Sequence, residues 1–259
     1  MTQDRKLPKA YENLEFLNSA AARSLRILAE YVEPQSRFNR YRVNDTIVFL
    51  GSARAVSAET AGAHPESTPQ TALAPYYEAA RELARRLTEW SKNLDGDERR
   101  FVICSGGGPG IMEAANRGAS EAAGINVGLT ISLPNEEFDN PYITRELALH
   151  FHYFFMRKFW FVYLAKAVVV FPGGFGTLDE LFELLTLLQT GKIRKHLPVV
   201  LFGTEFLDAA VNFDTLVRYG TIDATDLELM FRTDSVDDAY DYVTAQLSRY
   251  GIGERGAIL

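Results

Sequence analysis

The stretch FVICSGGGPGIMEAANRGA, residues 101–119, decides the fold: an apolar run, a glycine turn, then a small-residue helix. A continuous apolar run that ends in turn residues is the pattern of a strand covered on both faces. The glycines Gly106, Gly107, Gly108 and Gly110 permit backbone conformations and close approaches closed to other residues. A second stretch, FPGGFGTLDELFELL at 171–185, repeats the arrangement after the apolar run Ala167–Phe171. The first stretch's own run spans Arg100–Cys104, and further runs of this kind are Thr46–Leu50, Asn126–Ile131 and Pro198–Phe202. Helical periodicity separates them, as in Tyr76–Trp90, where Tyr77, Ala80, Leu83, Ala84 and Leu87 share one stripe. Helices are also expected over Ile111–Ala123, Thr144–Leu164, Leu178–Thr190, Phe206–Tyr219 and Val236–Tyr250. Strands alternating with helices imply an α/β domain whose parallel sheet carries helices on both faces.

Ligands of such sheets sit at the carboxyl ends of the strands. Here those ends read Gly51-Ser52-Ala53-Arg54, Ser105-Gly106-Gly107-Gly108-Pro109-Gly110, Leu133-Pro134 and Pro172-Gly173-Gly174-Phe175-Gly176-Thr177. Residues 1–43 read as an N-terminal helical segment (Tyr11–Val32 and a connector) that suits a surface or a partner. Residues 44–250 form the α/β domain, and 251–259 a tail. Within the domain, the small polar segment 55–73 reads as a mobile loop.

The chain has 259 residues, 47% of them apolar and 24% charged, which is ordinary for a globular protein. With 27 Lys and Arg against 34 Asp and Glu, its net charge of −7 disfavours nucleic acid as a partner. One cysteine, Cys104, excludes an intrachain disulfide. The polar first residues lack the apolar core of a secretory signal, and the most apolar window, 151–171, is broken by Arg157, Lys158 and Lys166. These features predict a cytoplasmic protein with no membrane segment.

A glycine turn opening a helix makes an anion site, because the first N–H groups lack intrahelical acceptors and carry partial positive charge. Two such turns on one sheet edge suggest a nucleotide-sized ligand with a phosphate. Neither is a P-loop, since no Gly-Lys-Ser/Thr ending follows, and the first strand lacks the G-x-G-x-x-G of dinucleotide binding. Thr177-Leu178-Asp179-Glu180 has the spacing of a helix capping box. It equally places the Glu180 carboxylate beside the phosphate loop, where it could serve as a general base or stabilise a sugar cation. Arg157 suits a phosphate or carboxylate ligand or a structural ion pair. Lys158 reads as a snorkelling stem or a site residue. Glu113, in the first turn of its helix, complements the dipole or faces the ligand. The four histidines form no metal-binding pattern, and Cys104 reads as a small buried hydrophobe.

The segments 106–116, Met156-Arg157-Lys158 and 172–180 (PGGFGTLDE) resemble the LONELY GUY family, cytokinin riboside 5′-monophosphate phosphoribohydrolases whose relatives are often labelled lysine decarboxylase-like. The resemblance covers roughly residues 44–250, and Gly51-Ser52 resembles the family's first-strand turn. It implies a Rossmann-like sandwich that hydrolyses the N-glycosidic bond of a nucleoside 5′-monophosphate to free base and ribose 5-phosphate. It further implies Arg157 and Glu180 as the catalytic pair. Gly51, Ser52, Gly106, Gly107, Gly108, Glu113, Met156, Lys158, Gly173, Gly174, Phe175, Gly176 and Thr177 become substrate-binding residues. No metal, redox cofactor or pyridoxal phosphate is implied, and the partner is a second copy in a homodimer or larger homo-oligomer. The segment 1–43, the loop 55–73, the Gly-Gly-Gly-Pro-Gly turn and Phe155-Met156 before Arg157 depart from the short plant type and resemble a longer bacterial branch. They favour AMP or purine nucleotides as substrates alongside cytokinin nucleotides. A carrier of a phosphate-bearing ligand such as molybdenum cofactor, and a nucleotide sensor, are the alternative functions.

Overall fold

The computed structural model describes residues 7–63, 71–94, 99–132 and 140–253. Seven parallel strands form one sheet: β1 Thr46–Leu50, β2 Val102–Ser105, β3 Asn126–Ile131, β4 Ala148–Phe151, β5 Ala165–Val170, β6 Val199–Phe202 and β7 Met230–Thr233. Their order is β4-β3-β2-β1-β5-β6-β7, so the winding reverses between β1 and β5. The principal helices are α1 Leu14–Asn18, α2 Arg23–Arg40, α3 Ala58–Ala63, α4 Ala74–Lys92, α5 Ile111–Glu121, α6 Phe154–Tyr163, α7 Phe175–Gln189, α8 Thr204–Ala210, α9 Phe213–Arg218 and α10 Val236–Gln246. This is the expected Rossmann-like α/β sandwich.

The strand sequences explain the two layers. Every residue of β1 is buried, and successive side chains alternate between faces. Val48 and Leu50 join Phe38, Trp160, Phe161 and Leu181 in the core beneath α2, α6 and α7. Ile47 and Phe49 join Tyr77, Leu83, Ile111, Ala115 and Val243 in the core beneath α4, α5 and α10.

Several local expectations are corrected. The segment expected as one helix over 144–164 is a 3-10 turn at Arg145–Leu147, then β4, then α6. Its alternating exposure along Ala148–Phe151 is that of an edge strand. The helix expected over Phe206–Tyr219 is split into α8 and α9, because the Asn212 side chain caps a new helix by accepting from Thr215 N. The N-terminal helix expected over Tyr11–Val32 is broken near Ser19, and α2 continues through Pro34 to Arg40. The segment 55–73 contains α3 and a 3-10 turn, Thr71–Leu73; residues 64–70 of that loop and Leu133-Pro134 lie outside the described residues. No helix among the described residues is long and apolar enough to cross a membrane.

Candidate active site

The crevice between the carboxyl ends of β1 and β5, where the winding reverses, opens into a cavity of about 600 Å³. Gly51 and Ser52 from the end of β1, Gly106 from the first glycine turn, and residues 172–178 from the second line it. Arg157, Glu180, Leu73, Met112 and Phe206 also line the wall. A crevice at such a switch point is where open α/β sheets bind ligands.

Backbone hydrogen bonds tie the three turns together. Ser52 N donates to Pro172 O at 2.9 Å, and Ser52 O accepts from Ile111 N at 3.0 Å. Gly110 has φ +71°, and a Cβ there would collide with the Ser52 carbonyl oxygen. Gly110→Ala is therefore expected to destabilise the protein by about 1–3 kcal/mol, from backbone strain and the lost close approach. Urea unfolding monitored by circular dichroism measures this.

The two glycine turns differ in what their N–H groups do. Gly107 N donates to Ser105 Oγ, so two N–H groups of the first turn, counting Ile111, bond within the protein. A buried network supports that turn. Asn116 Oδ1 accepts from Ser105 Oγ at 2.6 Å and Asn140 Nδ2 at 3.1 Å, while its Nδ2 donates to Asn126 Oδ1 and Val127 O. In the second turn, Gly174 is the N-cap of α7, and the helix's own bonding starts with Leu178 N to Gly174 O. The N–H groups of Phe175, Gly176 and Thr177 therefore occupy the helix's first turn, where no intrahelical acceptor exists. Gly174, Phe175 and Gly176 are exposed to the crevice, which makes this turn the better anion cradle.

The position of Gly174 corrects the capping-box reading. Because α7 begins at Phe175, Thr177 is a buried residue within its first turn, and Glu180 lies one turn further along. Glu180 does not cap the helix; its Oε1 accepts from Arg157 Nη2 at 2.9 Å, joining α7 to α6. Both side chains are largely buried, at 14% and 12% exposure, yet both reach the crevice. Burial pushes the Glu180 carboxyl up to about 7, and Arg157 offsets only part of that effect. Burial likewise lowers the Arg157 guanidinium, which packs against the Phe154 and Phe161 rings at 5.3 and 5.4 Å. Its Nε is buried with no hydrogen-bond partner among the described residues.

Other expected site residues fall elsewhere. Lys158 bridges to Asp179 at 2.9 Å and Glu183 at 2.6 Å, a second clasp between α6 and α7. Glu113 accepts from the Tyr77 hydroxyl at 2.7 Å, which joins α5 to α4. Met156 is buried in the core under α6. The Gly107 backbone packs near Thr130 and Ile143, and Gly108 beside Met112. Cys104 is buried, and burial pushes its thiol up, away from the thiolate form. Leu73, Met112 and Phe206 line the crevice without having stood out in the sequence, since each reaches it through tertiary packing.

Fold and site define a doubly wound α/β protein with a buried Arg–Glu pair between two glycine turns. The chain belongs to the family described as "Possible lysine decarboxylase", whose model matches residues 112–243, the family that includes the LONELY GUY proteins. It is 30% identical over 156 residues to the cytokinin riboside 5′-monophosphate phosphoribohydrolase LOG2 of Arabidopsis thaliana, covering 58% of this chain and 66% of that protein. It is 32% identical over 114 residues to the pyrimidine/purine nucleotide 5′-monophosphate nucleosidase of Escherichia coli K12. That match takes in 40% of this chain and 25% of the nucleosidase, so the chain spans about a quarter of that relative's length. Among solved structures, the structural-genomics target TM1055 superposes with a TM-score of 0.50 at 21% identity, covering 78% of this chain and 99% of that one. This last likeness bears on the fold alone.

Proposed function

We propose that this protein hydrolyses the N-glycosidic bond of a nucleoside 5′-monophosphate, releasing free base and ribose 5-phosphate. The observation that carries this reading is the buried Arg157–Glu180 pair one helical turn below the exposed N-terminus of α7. The activities named for the two curated relatives support it. The 5′-phosphate would bind at the N–H groups of Phe175, Gly176 and Thr177, and remote binding of this kind orients the sugar for reaction. As the C1′–N bond breaks, positive charge grows on the ribose, and the Glu180 carboxylate stabilises it. Water then adds through oxygen to C1′ as the C1′–N bond finishes breaking; its proton passes to Glu180, which releases it to solvent, and the departing base takes its proton from solvent water. Arg157 holds the carboxylate in place and is positioned to stabilise charge on the leaving base. It keeps its own proton, as arginine does in proteins.

The test incubates the protein with AMP, GMP, CMP, UMP, isopentenyl-AMP and adenosine, and follows base and ribose 5-phosphate by chromatography. Release from monophosphates and not from adenosine is expected. Binding without release would favour a carrier or sensor. The carboxylate is the reactive form, so kcat for the best substrate is expected to rise as pH passes through about 7, where Glu180 ionises. A profile from pH 5 to 9 that stays flat counts against Glu180 as the charged group. The same reading includes self-association, which the exposed Phe154 and Phe155 of α6 and Phe175 and Phe182 of α7 support. Light scattering measures it.

A further inference from the structure

We propose that Glu30, on the N-terminal helix α2, is a positioning residue that fixes α6 and thereby aligns Arg157 with Glu180. This rests on the reading of Arg157 as part of the reacting site. Glu30 lies outside residues 112–243, where the family match falls, and holds α6 at two points. Its carboxylate accepts from His152 N at 2.8 Å and Tyr153 N at 3.2 Å, at the helix's N-terminal end. Its carbonyl accepts from Trp160 Nε1 at 2.9 Å, two turns further along α6. The Tyr153 backbone passes the constraint on, since Tyr153 N donates to Glu30 while Tyr153 O accepts from Arg157 N at 3.2 Å.

The charges suit the helix. A carboxylate stands at the positive end of the α6 dipole, and Lys195 Nζ at the other end donates to Val162 O and Tyr163 O at 2.8 and 3.0 Å. Aromatic packing of Tyr31 on Phe159 and Trp160, and of Phe38 on Trp160, seats α2 on the same helix. The alignment matters because the Arg157–Glu180 bond spans two separate helices. A displacement of about 1 Å between reacting groups can cost on the order of 100-fold in rate.

The experiment compares wild type with Glu30→Ala, Glu30→Gln and a control, Glu33→Ala, whose carboxylate pairs, among the described residues, along α2 with Arg37. Each is checked for folding by circular dichroism. Steady-state hydrolysis of the best monophosphate and hydrogen exchange over residues 152–163 are then measured. Glu30→Ala is expected to lower kcat about 10-fold or more with KM within about twofold. It is also expected to speed exchange in α6 but not in β1 or β5, and to recover activity in added acetate. Glu30→Gln, whose amide oxygen can replace one of the two acceptors, should fall between, and Glu33→Ala should match wild type. An unchanged kcat in a folded Glu30→Ala protein overturns the proposal, as does a loss that tracks global unfolding and ignores acetate. If wild type hydrolyses no monophosphate, the functional reading fails, and exchange in α6 alone decides whether Glu30 positions the helix.

Discussion

Glu180→Gln is expected to lower kcat by about 10²–10³-fold, the range seen when one group that stabilises transition-state charge is removed. Gln matches Glu in size, and its amide oxygen can still accept from Arg157 Nη2, so the substitution removes charge and little else. Binding is expected to survive, because the phosphate cradle belongs to the N-terminus of α7, one turn away from Glu180. Base release and calorimetric titration with AMP, run on the same preparation, separate the two effects. Turnover near the wild-type value would remove Glu180 from the chemistry. Stability supplies a second readout. The folded Glu180 carboxyl is raised from 4.5 to about 7, so between those values the folded state binds more protons than the unfolded. Its contribution is complete below the unfolded value and is lost as pH rises through about 7. The Gln variant should lose that slope in melting temperature between pH 5 and 8.

Why the glycine turns were legible and parts of their surroundings were not follows from where each signal resides. Five strands carry largely apolar runs because both of their faces are covered. β4 and β7 lie at the sheet's two edges, and short segments such as Ala148–Phe151 and Met230–Thr233 mix exposed and buried positions. In β4, the aromatic residues that continue into α6 blurred a period of two into an apparent helix. Thr177 and Glu180 carry the spacing of a cap, but Gly174 starts the helix earlier and turns the same carboxylate toward Arg157. The partnership of Arg157 and Glu180 was available through motif resemblance, whereas its geometry required the packing of α6 on α7. Glu30 is an ordinary helix-surface glutamate in the sequence. Its acceptors are aimed only by tertiary contact across more than a hundred residues, at His152 and Tyr153.

The largest expected loss of stability lies at the opposite end of the sheet from the site. Asp45, fully buried just before β1, accepts from Arg100 Nε, and its Oδ1 lies 3.9 Å from Lys166 Nζ. Arg100 in turn donates to Gly251 O at 2.7 Å and so anchors the chain after α10. Lys195 feels the same cluster: burial first, then Lys166, lower its ammonium to about 8, while Asp45 opposes the shift. Among the described residues, the Asp45 carboxylate thus meets Arg100 and Lys166 and acts at a distance on Lys195. Asp45→Asn keeps the shape and removes the charge, and breaking a buried ion pair from one side costs about 3–5 kcal/mol. The loss should also depend on pH in a definite sense. A lysine whose folded value is lowered binds fewer protons in the folded state between about 8 and its ordinary 10.5, so folding gains stability as pH rises through that window. Without the Asp45 charge the lowering deepens and the window opens at lower pH. Urea unfolding at pH 6 and pH 9 should therefore show a smaller deficit at pH 9. Equal deficits at both would mean that the altered hydrogen bond to Arg100, and not the charge removed beside Lys195, sets the cost.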